Sequence, residues 1–148
     1  MRPLIESPEE IARLVEVARA WEGTRWCSDG AFKGHGVSCN MLPYAILAEL
    51  GHVAPPPPAR AGMLKKDILP TMEMWFPMYP ECYAACAKDE IRPGDVLLYN
   101  AGIGHLALAL DQVNIIDSYA AIGAQIRTRT NIKLADRLLS VWRPILHG

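Results

Sequence analysis

Cys39, His105 and Asp117 are the residue types that a thiol nucleophile and its base require. Cys39 ends the run Lys33-Gly34-His35-Gly36-Val37-Ser38-Cys39 and is followed, after Asn40, by an apolar stretch with helical spacing. The thiolate is the nucleophile, so such a cysteine needs a base beside it and an electropositive setting. A glycine-rich turn feeding a helix start supplies part of that setting, because unpaired N–H groups and the helix dipole favour an anion. His105, in Gly104-His105, is the candidate base. Asp117 is the candidate group that orients the imidazole and stabilises its protonated form.

Whether these residues meet depends on strand geometry. His105 to Leu110 alternates with period two, placing Leu106, Leu108 and Leu110 on one face and His105, Ala107 and Ala109 on the other. Asp111-Gln112-Val113 reads as a hairpin loop. A loop of three residues sets Ala107 opposite Asp117, so His105 and Asp117 become diagonal neighbours on one face. A loop of two would put them on opposite faces. Asn114 is the neutral alternative, nearer the turn. The small alanines point to the histidine face as the one that receives the helix led by Cys39.

The elements around these residues are legible in part. Ser7-Pro8-Glu9-Glu10 reads as a capping box with proline at the first helical position, and Ile11, Leu14, Val15 and Ala18 follow at helical spacing up to about Glu22-Gly23. Residues 23–38 read as a loop. A second helix is expected over roughly 41–50, capped at Asn40, with Pro43 in its first turn and Gly51 as its stop. Pro55 to Pro58 reads as a stiff spacer. Short helices are expected near 61–69 and 79–88, the latter putting Cys82 and Cys86 on one face as buried small residues or, less well supported, a metal pair. Met72 to Pro80 is rich in methionine and aromatics and reads as core, as a cover, or as a peptide-binding surface. Strands are expected at 96–99, 105–110, 113–119, 125–129 and 138–142. Helices first and a meandering sheet after them predict an α+β fold, with N-terminal helices packed on a C-terminal antiparallel sheet of about five strands.

The bulk numbers narrow the partners. A chain of 148 residues, 51% hydrophobic and 21% charged, is expected to form one domain, 1–148, with a Pro-rich helical insertion at about 53–90. Net charge is −1 and the pI about 6.4, with no basic stripe, which argues against nucleic acid. No apolar run approaches the roughly 18 residues of a membrane span. Residues 1–10 lack an apolar core, so no signal peptide is expected. Four cysteines without an export signal are weak evidence for disulfides. A zinc site from Cys27, His35, Cys39 and His105 lacks the usual ligand spacing, so no metal or other cofactor is expected.

Several segments resemble the NlpC-type cell-wall cysteine peptidases, a papain-like family. Its pattern runs as a helix, Gly-x-Pro-Tyr, a glycine-rich loop, Asp-Cys-Ser-Gly-Leu, Pro-Gly-Asp-Leu, His-Val-Gly-Ile and a later polar residue. This chain offers Gly23-Thr24-Arg25-Trp26, Gly36-Val37-Ser38-Cys39-Asn40-Met41-Leu42, Pro93-Gly94-Asp95-Val96, Gly104-His105-Leu106-Ala107 and Asn114-Ile115-Ile116-Asp117. The resemblance implies a papain-like core with Cys39 as nucleophile, His105 as general base and Asp117 as orienting group. It implies an oxyanion hole from the backbone at Ser38 and Cys39 and a substrate contact from Trp26; His35 and Gly36, in the loop before Cys39, are read as loop residues or as part of the substrate groove. The implied reaction is hydrolysis of an amide bond next to D-glutamate in peptidoglycan stem peptides. Ser38 stands where the family has Asp, Met41 where it has Gly, and Asp117 where His, Asn or Gln is commoner. The long segment between Cys39 and Pro93 resembles the branch encoded with phage tails and gene-transfer particles. By that analogy the partners would be phage-tail or prophage-encoded proteins, and the protein, made in the cytoplasm, would reach the wall with a particle. Two other functions fit the same residues: an inactive tail-tip or wall-binding module, and an acyltransferase or amidase using the same Cys–His pair.

Overall fold

A computed structural model describes residues 1–146. In chain order the elements are β1 (Arg2–Pro3), α1 (Pro8–Trp21), β2 (Ala31–Phe32), β3 (Gly36–Val37), α2 (Met41–Glu49), α3 (Lys65–Trp75), β4 (Tyr83–Cys86), β5 (Val96–Asn100), β6 (Gly104–Ala109), β7 (Asn114–Tyr119), β8 (Gly123–Thr128) and β9 (Leu138–Leu146). The sheet runs β1-β9-β5-β6-β7-β8 with β4 also on β9, all antiparallel. The fold is α+β, as the order of elements predicts.

Local chemistry explains the helix starts. The Glu10 N–H donates to Ser7 Oγ at 3.1 Å and the Ser7 N–H to Glu10 Oε1 at 2.8 Å, the reciprocal pair of a capping box. α2 has Pro43 at its third position, where no intrahelical N–H is needed, and Gly51 follows its end with φ +95°. Asn40 occupies the N-cap position, but its side chain does not cap. It accepts from Ser38 Oγ at 2.7 Å instead.

The sheet is larger than the sequence predicts. β1 and β4 line the free edge of β9, making seven strands where about five are expected. The region expected to be helical at 79–88 is β4, reached through a 3₁₀ turn at Phe76–Met78. Cys82 and Cys86 therefore share no helix face; Cys82 is buried and Cys86 half-buried, and both are free thiols. The helix expected near 61–69 lies at Lys65–Trp75 and carries Pro70 within it. The loop expected at 23–38 contains the two-stranded β2–β3 ribbon.

The helices lie on the leucine face of β6, which corrects the expectation that they would meet the alanines. Leu106, Leu108 and Leu110 join Leu14, Leu42 and Ile46 in the main core. Ala107 and Ala109 pack with Leu97, Tyr99, Ile115 and Val141 in a second, smaller core. Branched leucines fill the gap to a helix, whereas alanines leave room for Tyr99 on the neighbouring strand.

Asp95 explains the Pro-Gly-Asp segment in structural terms. Its fully buried carboxylate accepts from Arg143 Nε and Nη2, each at 2.9 Å, and from the Arg92 N–H at 2.8 Å. Gly94, at φ +91°, sits so close to Ile5 that an added Cβ would lie 2.7 Å from its Cγ1. The turn thereby ties the start of β5 to β9. Asp95→Ala is expected to strand the Arg143 charge and cost about 3–5 kcal/mol, read as a lower urea midpoint.

Candidate active site

His105 Nε2 lies 3.0 Å from Asp117 Oδ2, with both side chains buried. The Asp111–Val113 loop is the three-residue kind: the Leu110 N–H donates to Asn114 O at 2.8 Å, and the ladder pairs Ala109 with Ile115 and Leu108 with Ile116. That register makes His105 and Asp117 diagonal neighbours.

Cys39 enters where this ladder opens. Continued, the register would pair Leu106 with Ser118, but the pairs stop at Leu108 and Ile116. The segment Val37–Cys39 fills the gap. Ser118 Oγ donates to Val37 O at 2.9 Å. The Leu106 N–H, which the two-residue period from Leu110 directs toward β7, reaches the Cys39 thiol. Cys39 thus sits at the mouth of α2 and against the imidazole, on the floor of a cleft of about 220 Å³ lined also by Trp26, Arg60 and Tyr119.

Electrostatics set the protonation state. Burial alone would push the Cys39 thiol up; the hydrogen bond and charge of His105, the Arg60 guanidinium and the Leu106 N–H overcome it and hold the thiol below its ordinary value. Burial alone would push His105 down; hydrogen bonds to Asp117 and Cys39 raise it to about 9. With Nε2 committed to Asp117, Nδ1 is left for the thiol. The two shifts belong to one coupled pair and favour the proton on the imidazole over the sulfur.

Asp117 has a second partner. Arg127 donates from Nε to Oδ1 at 3.1 Å and from Nη2 to Oδ2 at 2.7 Å. The Tyr119 ring stacks on His105 at 4.5 Å between centroids, and the Arg127 guanidinium lies 4.3 Å from the Tyr119 centroid.

Neither a protein-family model nor a curated protein matches the sequence. Solved structures do. A lipoprotein-like NLP/P60 family protein from Staphylococcus aureus superposes with a TM-score of 0.65 at 18% identity, covering 99% of this chain and 44% of that one. An NlpC/P60 family protein from Bacillus cereus gives 0.63 at 16% identity, over 88% of this chain and 39% of that one. The P60 domain of a Mycobacterium avium subspecies paratuberculosis antigen gives 0.58 at 16% identity, over 93% and 96%. The fold is that of the NlpC/P60 proteins. This chain spans about two-fifths of the first two solved chains and nearly all of the third.

Within the NlpC/P60 fold, the structure brings Cys39, His105, Asp117 and Trp26 together and leaves other expected residues out. The Ser38 N–H donates to Gly30 O at 3.0 Å and is not free to join an oxyanion hole. Among the described residues the Cys39 N–H has no such acceptor; Cys39 lies just before the N-cap residue Asn40 of α2. His35 is exposed in the β2–β3 turn, and Gly36 is buried in β3, where an added Cβ would lie 2.5 Å from Cys27 Cβ; neither lines the cleft. No cluster of three or more metal-ligating side chains occurs among the described residues, and no helix there is long and apolar enough to cross a membrane.

Sequence reasoning missed Arg60, Tyr119 and Arg127. The last two were within reach: β7 and β8 pair Asp117 with Gln125 and Tyr119 with Gly123, which makes Arg127 a diagonal neighbour of Asp117. Arg60 lies in an irregular segment and carries no local signal.

Proposed function

We propose that this protein is a cysteine peptidase that cleaves amide bonds next to D-glutamate in peptidoglycan stem peptides. The observation that carries this reading is the buried Cys39–His105–Asp117 array on the floor of a cleft, in an NlpC/P60 fold. The Cys39 thiolate attacks the carbonyl carbon, and the negative charge that develops on oxygen faces the Cys39 N–H at the helix mouth. His105, protonated at Nδ1, gives its proton to the leaving amine, and the acyl-enzyme is then hydrolysed. Ser38, bonded to Asn40, and Met41, packed on the main core, lie beneath the site, so the departures at these positions do not block the cleft.

The test is the alkylation rate of each cysteine against pH. Cys39 should react as a thiolate well below the ordinary thiol range and slow in His105→Ala, with exposed Cys27 as the internal comparison. A muropeptide assay then reads hydrolysis. Cys39 reacting no faster than Cys27 would favour an inactive wall-binding module. An acyl-enzyme that turns over only with added amine would identify an acyltransferase.

A further inference from the structure

His105 and Arg127 converge on one carboxylate oxygen. His105 Nε2 lies 3.0 Å from Asp117 Oδ2, and Arg127 Nη2 donates to the same oxygen at 2.7 Å. Once the imidazole is protonated, two positive groups share one buried anion, and at this range they repel each other. Tyr119 packs against both. Its ring stacks on the imidazole, with 4.5 Å between centroids and 24° between planes, and its centroid lies 4.3 Å from the Arg127 guanidinium. The face of an aromatic ring carries negative charge density and attracts a cation set against it.

Strand geometry puts Tyr119 there. It stands two residues past Asp117 on β7, so the two side chains share a face. The strand is anchored around it: Ser118 Oγ donates to Val37 O at 2.9 Å, and the Ile122 N–H donates to Tyr119 O at 3.2 Å. Gly123, its partner on β8, has φ +72°, and an added Cβ would lie 2.4 Å from Thr24 O. Tyr119 is also a wall common to the cleft around Cys39 and a neighbouring cavity of about 550 Å³.

Other groups reach His105 from each element packed on it. Cys39 meets it from the mouth of α2, Asp117 from β7, and Tyr99 is its cross-strand partner on β5. Arg127 acts from β8 through the shared carboxylate, and Arg60 donates to the carbonyl of adjoining Gly104. Among the described residues, Tyr119 is the aromatic ring stacked on the imidazole. In the proposed mechanism the thiolate contact ends once the sulfur is acylated. Asp117 at one nitrogen and Tyr119 across the face then keep the imidazole in place.

We propose that Tyr119 is a positioning residue: the π face of its ring holds the His105 imidazolium between Cys39 and Asp117, with Arg127 bracing the ring. The consequence for turnover rests on the peptidase reading above; the stack itself stands on geometry.

The test is an NMR pH titration of His105 in the full chain, its imidazole signal assigned by loss in His105→Gln. Tyr119→Phe keeps the ring and should titrate as the wild type does. Tyr119→Leu keeps an apolar wall without a π face, and its His105 should titrate about one pH unit lower. Leucine serves better than alanine, because an open flank would admit water and favour the charged imidazole. Should the leucine variant fail to fold, 4-cyanophenylalanine at position 119 decides. It keeps the ring but draws density from its face, so His105 should titrate below its value in Tyr119→Phe. Cys39 alkylation by iodoacetamide is the second readout, and its thiolate limb should move to higher pH in Tyr119→Leu. A merely structural role would lower the urea midpoint and leave both profiles in place. An unchanged His105 titration in Tyr119→Leu, or in the cyano variant relative to Tyr119→Phe, overturns the proposal. So does a shift in Tyr119→Phe as large as that in Tyr119→Leu, which would assign the effect to the hydroxyl. If stem peptides are not cleaved while the titration moves as expected, the peptidase reading fails by itself and the role of Tyr119 stands.

Discussion

Cys39→Ala should abolish peptide hydrolysis, with a loss on the order of 10⁴ or more in kcat, and leave the protein folded. In the proposed mechanism the thiolate forms the bond that starts the reaction, and no other side chain lining the cleft is placed to replace it: Tyr119 is stacked between His105 and Arg127, and Ser118 Oγ is committed to Val37 O. The packing cost is about 1 kcal/mol, since one buried sulfur is lost without a change of backbone. Turnover retained in this variant would remove Cys39 from the mechanism.

The same variant should reveal the charge state of His105 through stability. In the unfolded chain a histidine loses its proton near 6.5 and a cysteine keeps its own to about 8.5. In the folded protein the thiol is held below its ordinary value and His105 is raised to about 9, so the pair moves its proton from the sulfur toward the imidazole. The two shifts run in opposite directions and offset each other in the number of protons bound, which reduces the slope the pair adds to stability. Alanine breaks the balance. His105, still raised by Asp117, keeps a proton that the unfolded chain releases. That contribution is complete below pH 6.5 and fades as pH rises through the folded value, by about 1.4 kcal/mol for each unit of elevation that remains. Urea midpoints should therefore fall with pH more steeply in Cys39→Ala than in the wild type. A flat variant would mean that Asp117 does not raise His105.

What the sequence could reveal followed from periodicity. The capping box at Ser7 and Glu10 and the alternation of β6 are local signals, and the three-residue loop at Asp111–Val113 carried the register that joins His105 to Asp117. The misreadings came where no period exists. β1, β2 and β3 are two residues each, too short to alternate. β4 was masked by the four-residue spacing of Cys82 and Cys86, which mimics a helix. The alanine face of β6 misled because residue size says that something packs closely, not what; the occupant is Tyr99 of the adjacent strand. The opening of the β6–β7 ladder, which admits Cys39, depends on Val37–Cys39 competing for Ser118 and Leu106, a tertiary event with no sequence signature.

If the proposed hydrolysis holds, Asp117→Asn should lower it more than the same change combined with Arg127→Gln. In the wild type one carboxylate accepts from three donors, His105 Nε2 and the two Arg127 nitrogens. An amide offers only one accepting end. The guanidinium, a fixed charge needing an acceptor, should capture the amide oxygen and turn the NH₂ group toward His105. Nε2 must then accept instead of donate, which leaves the imidazole in the wrong tautomer and removes the contact that raises it. Loss of orientation of this kind is worth roughly 10⁴ in kcat. The alkaline limb of the rate profile, set near 9 by His105, should also move down toward neutrality. Arg127→Gln withdraws the competing charge, lets the oxygen of the introduced amide face His105, and should return activity to within about 10–100-fold of wild type. The coupling between the two sites would then be large and favourable, as expected for groups that share one hydrogen-bond network. A double variant no more active than the single would show that Arg127 only braces β7 against β8. Recovery would show instead that Asp117 serves in this triad because Arg127 holds its charge, and that a neutral residue can take its place only when that arginine is absent.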